Sequence, residues 1–141
     1  MGQPLSKRAI VIGICTEIIG MIVTLVGVFA VMLGVLASRG EAFDEDTIDR
    51  WPNEPAFLIS AFVIGTLTLV IAGFVTGKVA KRDHVRHAAW TGGIILVVYA
   101  ILTFIPIEGP SEPLWYDVLS LLSTVPAVMA GGYLSIPKAT G

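Results

Sequence analysis

The sequence predicts an all-α membrane protein, four transmembrane helices in a compact bundle with both termini cytoplasmic. Three observations predict it. Of the 141 residues, 55% are apolar and only 14% charged, against roughly 25% charged in an ordinary soluble domain. The apolar residues come in long blocks rather than at a helical or strand period, which points to the bilayer as solvent. The few charges are also sorted by loop. This composition excludes a disordered tail and a small soluble enzyme with a charged skin, and the net charge of -2 excludes a basic nucleic-acid binder. One cysteine, Cys15, cannot form an intramolecular disulfide, so the chain is no stapled secreted scaffold.

The first block covers residues 9–37, with Glu17 as its only charge. As a helix it is roughly 43 Å long, more than the hydrocarbon thickness of about 30 Å, so it tilts or protrudes. Its apolar stretch is about twice a signal-peptide core of 7–15 residues, and it reads as a retained helix. The other spans are expected at 56–77, 88–107 and 114–136. Each crosses once as a helix, the open-chain structure that satisfies its own backbone in lipid. One transmembrane domain then fills residues 1–141, with an acidic outer loop at 38–55 and a basic inner loop at 78–87.

Charge placement orients the bundle. Lys7 and Arg8 precede the first span, Lys78, Lys81, Arg82 and Arg86 lie between the second and third, and Lys138 follows the fourth. The other two loops hold only Arg39 and Arg50, with Glu41, Asp44, Glu45, Asp46, Asp49, Glu54, Glu108, Glu112 and Asp117. This positive-inside bias puts both termini in the cytoplasm and the acidic loops outside. Trp51, Trp115 and Tyr116 fall at the outer boundary and Trp90 near the inner one, as an aromatic belt requires.

Small residues mark the faces on which the helices meet. Gly13, Gly20, Gly27 and Gly34 recur every seven residues and form one gently coiling stripe. The second span carries Ala61, Gly65, Gly73 and Gly77, the third Ala88 with Gly92 and Ala89 with Gly93, the fourth Ser123, Ala127, Gly131 and Ser135. Such seams let backbones approach closely, either inside the bundle or against a second copy or another subunit. There is also an internal echo. Glu54-Pro55-Ala56-Phe57 and Glu112-Pro113-Leu114-Trp115 open the second and fourth spans 58 residues apart, and the same offset carries Ala72-Gly73 onto Ala130-Gly131. Proline and an acid both suit a helix start, so convergence is one explanation. Two hairpins in the same orientation are the other.

Glu17 is the candidate for chemistry. A carboxylate inside a span marks a functional site by default. It lies on the glycine face, with Thr24, and points into the bundle or an interface. Burial disfavours the charged form of a carboxyl, which suits a site that binds and releases a proton. Lys78 and His87 lie near enough to the inner end to reach toward it, and a structural ion pair or hydrogen bond is the competing role.

Thr16-Glu17-Ile18-Ile19-Gly20 in the first of four spans resembles the membrane-embedded glutamate segment of the small multidrug resistance transporters. His87-Ala88-Ala89-Trp90-Thr91-Gly92-Gly93 is similar to their tryptophan-containing third helix. The resemblance implies a four-helix protein, working as a dimer, that exchanges protons for cationic drugs. Glu17 would then bind proton and substrate, and Trp90 would stack on the cation. The long acidic first loop, the long first span and the position of Trp90 beside a basic loop depart from that pattern.

The loops carry weaker signals. Lys78, Lys81, Arg82 and Arg86 read as topology determinants that attract anionic lipid head groups. His84 and His87 sit three apart with only Asp83 close by, a poor metal site. In the outer loop, Ala42, Phe43, Ile48 and Trp51 can share one face of a short surface helix. Asp44, Asp46 and Asp49 lack the spacing and the glycine of a calcium loop. A solvated acidic cap fits this loop better, with docking of a basic partner as a second role. Pro126 removes a backbone hydrogen bond from the fourth span, where Ser123 and Thr124 can compensate. No nucleophile elbow, phosphate loop, HExxH or CxxC motif is present. The sequence therefore leads one to expect no enzyme, no metal and no cofactor. It leads one to expect a bacterial-type inner-membrane protein whose partners are membrane lipids and other membrane subunits or itself. An accessory or assembly subunit, or a scaffold, is the primary expectation. The alternative is a small proton-coupled exporter.

Overall fold

The computed structural model of the chain describes residues 5–105 and 112–137. Helix α1 spans Lys7–Arg39, α2 Glu45–Arg50, α3 Pro55–Ala80, α4 His84–Phe104 and α5 Leu114–Leu134, with one 3-10 turn at Trp51–Asn53. No strand occurs among the described residues. Helices α1, α3, α4 and α5 are each long and apolar enough to cross a membrane. The four spans are those expected, with shifted edges. The first two run two or three residues further into their polar flanks at most ends. The third starts at His84 rather than 88, and the fourth stops at Leu134 rather than 136. The expected end of the third span, residue 107, lies outside the described residues, as do Glu108 and Lys138.

Local chemistry explains the ends. The Ser6 hydroxyl caps α1 by accepting from the Ala9 amide at 3.3 Å, and Gly40 closes the helix in the left-handed region at φ 68°. Proline opens α3, where its missing N–H has no partner to lose. A three-residue turn joins α3 to α4, with Lys81 at φ 60° and Asp83 at φ 47°. The expected surface helix of the outer loop is shorter than its apolar pattern implied. Asp44 caps α2 by accepting from the Thr47 amide at 2.9 Å, so Phe43 falls before the helix and Trp51 after it. Phe43 and Trp51 instead fold back onto Phe29 of α1, with ring centroids 6.1 Å and 5.8 Å from that ring.

Small and hydroxylated residues share the core with Met32, Leu69, Ile95 and Val128, and many of the large apolar side chains face outward. Thr76, Thr91, Thr124, Ala72 and Ala88 are fully buried, while Leu25, Val26, Leu67, Ile101 and Leu122 are more than half exposed. Lipid solvates those outward side chains, so association depends on close backbone approach. Helix α1 lies along α3, α3 along α5 and α5 along α4, and α4 touches α1. The basic residues at the start of α1 and around the α3–α4 turn gather at one end of this bundle. Helix α2, Glu112 and Asp117 stand at the other.

The crossing of α3 and α5 is reciprocal. A β-carbon added to Gly73 would collide with the carbonyl oxygen of Val128, and one added to Gly131 would collide with that of Val70. Gly73 and Gly131, and Val70 and Val128, are each 58 residues apart, the offset of the sequence echo. Gly77 packs on Ser135, again at that offset. The Ala-Gly part of the echo thus belongs to one helix–helix contact, in which each helix's glycine admits the other's backbone.

Candidate functional site

Glu17 sits on the α1 face that the heptad glycines define, and the neighbours of those glycines show where that face points. A β-carbon on Gly13 would strike the Thr76 hydroxyl, one on Gly20 would stand 2.7 Å from Thr68 Cβ, and one on Gly27 would stand 3.0 Å from Ile64 Cδ1. The stripe is therefore the α1–α3 seam, and Gly34, which meets nothing within 4 Å, extends beyond it. Of the other singled-out glycines, Gly92 packs on Val128 and Val125, while Gly65 meets only a Thr24 methyl at 4.0 Å.

Within that seam Glu17 is 3% exposed. Its Oε1 accepts a hydrogen bond of 2.6 Å from the Tyr99 hydroxyl, reaching across from α4. Its Oε2 is buried with no hydrogen-bond partner. Lys78 and His87 do not pair with it. The Lys78 ammonium stands 5.5 Å above the Phe74 ring, and His87 Nε2 accepts from the Ser6 amide at 2.9 Å. His87 Nδ1 faces the Asp83 carbonyl at 3.0 Å, so both ring nitrogens are engaged within the fold. His84 bonds Ser135 at 2.9 Å, and the two histidines serve separate structural contacts. No group of three or more metal-capable side chains occurs among the described residues.

Glu17 also lines a cavity of about 640 Å³ to which all four long helices contribute and which is partly open at the surface of the bundle. That volume lies in the range of small-molecule sites, about 300–1,000 Å³. Its walls are mostly apolar, from Leu25, Val28, Phe57 and Leu69, with Tyr99, Tyr116 and Thr124 among the polar exceptions. Glu112 and Asp117 flank it at the end remote from Glu17. Among the described residues no Lys, Arg or His lines it. Burial, and then the neighbouring Asp117 charge, push the Glu112 carboxyl above the usual carboxylate range.

No family model, curated protein or solved structure matches the chain. Its chemistry is therefore read from these residues alone.

The structure separates the two residues that the resemblance joined. Trp90 is 54% exposed on the outside of α4 and does not line the cavity. The aromatic group at Glu17 is Tyr99, about two and a half turns further along the same helix, which sequence reasoning passed over. A tyrosine amid Val97, Val98 and Ile101 reads as an apolar position, and only its reach to α1 distinguishes it. Lys78, Lys81, Arg82 and Arg86 stand exposed around the α3–α4 turn, where head-group contact is open to them.

Proposed function

We propose that the chain is a small multi-pass carrier of a bacterial-type inner membrane that exchanges protons for organic cations at Glu17. One observation carries the reading: the unpartnered, buried Oε2 of Glu17 in the wall of an apolar cavity without a basic residue. A lone carboxylate at that depth is costly unless neutralised. A proton does so, and so does a bound cation, and the two exclude each other. That competition is the chemistry of an exchanger. Tyr99 holds the carboxyl toward the cavity while leaving one oxygen for the exchanging partner. The charge bias supports a cytoplasmic basic end and an acidic end facing out.

An accessory or assembly subunit that docks through its glycine faces has less support. Gly13, Gly20, Gly27, Gly73, Gly77, Gly92 and Gly131 all face other helices of the same chain. Of the glycines within the long helices, Gly34 and Gly93 alone have nothing within 4 Å.

The test is binding of tetraphenylphosphonium to the protein in lipid nanodiscs, measured by equilibrium dialysis across a pH series. Affinity should rise with pH, and Glu17→Gln, which keeps an acceptor for Tyr99, should abolish binding while retaining the fold. Unchanged binding in Glu17→Gln would sink the exchanger.

A further inference from the structure

The cavity has acids at both ends and hydrocarbon between them. Glu17 closes one end, and its free Oε2 points to a cationic occupant there. From Glu17 to Val28, the last α1 residue to line the cavity, the helix rises about 16 Å. Beyond that level, toward the same end of the bundle, the cavity meets Glu112 and Asp117, at the start of α5. Asp117 lies in the first turn of α5, where it also complements the helix dipole. Glu112 precedes the helix and has no such role. Neither acid has an ion pair among the described residues. The two basic residues of that end are engaged elsewhere, Arg39 with Glu54 at 3.5 Å and Arg50 with Glu41 at 3.5 Å. The walls between the two ends come from Leu25, Phe57, Leu69 and Leu121, which offer contact to an alkyl chain and no charge.

We propose that this cavity takes an elongated organic dication with an apolar middle, one charged end at Glu17 and the other between Glu112 and Asp117. The proposal rests on the reading of Glu17 as a cation site and specifies the ligand of that site. A compact monocation uses Glu17 alone and leaves the remote acids to water. A chain with a cationic group at each end neutralises both ends and fills the apolar length. Linking two charges in one molecule makes the second contact intramolecular, so the dication gains affinity provided its length matches the span. Too short a chain reaches one end only, and too long a chain carries its second charge past the remote acids.

The test compares alkyltrimethylammonium monocations with bis(trimethylammonium)alkanes in nanodiscs, on wild type, Glu17→Gln and the double variant Glu112→Gln/Asp117→Asn. In wild type, dication affinity should peak at one chain length, longer than the rise of about 16 Å from Glu17 to Val28. The double variant should weaken the matched dication about tenfold, the loss of one net charge contact. It should leave monocation binding within about twofold, and that unchanged binding also certifies the fold. Glu17→Gln should remove both ligands. Loss of monocation and dication binding together in the double variant would overturn the proposal, as would a dication series without a length optimum. If instead Glu17→Gln leaves monocation binding intact, the exchanger reading itself fails, a result distinct from either.

Discussion

The Tyr99 hydroxyl donates to Glu17 Oε1 at 2.6 Å, joining α4 to α1 across 82 residues of chain. Both residues line the cavity, so the bond ties two of its walls together. Hydrogen bonds between transmembrane helices average about 0.6 kcal/mol in double-mutant cycles and reach about 1.7. A short bond to a carboxyl belongs at the upper end of that range. In a Tyr99→Phe/Glu17→Ala cycle, read by thermal unfolding in detergent, the coupling should be about 1–2 kcal/mol. Additive losses would show that the bond contributes nothing to the fold.

The reciprocal glycines make a sharper contrast. Gly73→Ala and Gly131→Ala each push a methyl into a backbone carbonyl of the facing helix, which cannot move aside as a side chain would. Either substitution should lower thermal stability by several kcal/mol or prevent assembly of the bundle. Gly93→Ala meets nothing within 4 Å and should be neutral or stabilising by up to about 1 kcal/mol, because alanine is the better helix former. Equal melting temperatures for all three would contradict the α3–α5 crossing.

In the outer loop, the Thr47 hydroxyl and amide hold the exposed Asp44 carboxyl below its usual range. A carboxyl whose folded value is depressed stabilises the fold above its unfolded value, here 3.8, and that contribution is lost as pH falls through the folded value. Protection of the Thr47 amide from hydrogen exchange, relative to its intrinsic rate at each pH, should therefore persist at neutral pH and be lost only in acid. Asp44→Ala should remove that protection at neutral pH and change little in acid, where the carboxyl is already protonated.

Glu112 titrates with the opposite sign. Its burial and the Asp117 charge favour the protonated form, and Tyr116 lies against the same pair. Binding of a cationic group at that end should strengthen as pH rises through the elevated Glu112 value. NMR of the labelled carboxyl should show a matched dication lowering that value and a monocation leaving it unchanged. Identical titration curves with both ligands would place the second charge elsewhere.

The spans, the separation of basic from acidic ends and the position of Glu17 on the glycine face were all legible in the residues. Each follows from a constraint that acts within one segment. In lipid, a backbone satisfies itself helix by helix, and glycines every seven residues mark one face whatever lies opposite. Even the 58-residue echo of Gly73 and Gly131 stood in the sequence, although its meaning as a single crossing did not. Only the tertiary structure decided what each face meets. It chose Tyr99 over Lys78 or His87 as the partner of Glu17, turned Trp90 outward, and committed most of the glycines to contacts within the chain. It also formed the cavity between Glu17 and the Glu112–Asp117 end. Lipid is as apolar as leucine, so hydrophobicity does not choose which helices meet. That choice rests on shape and on polar groups far apart in the chain, and no local period records it.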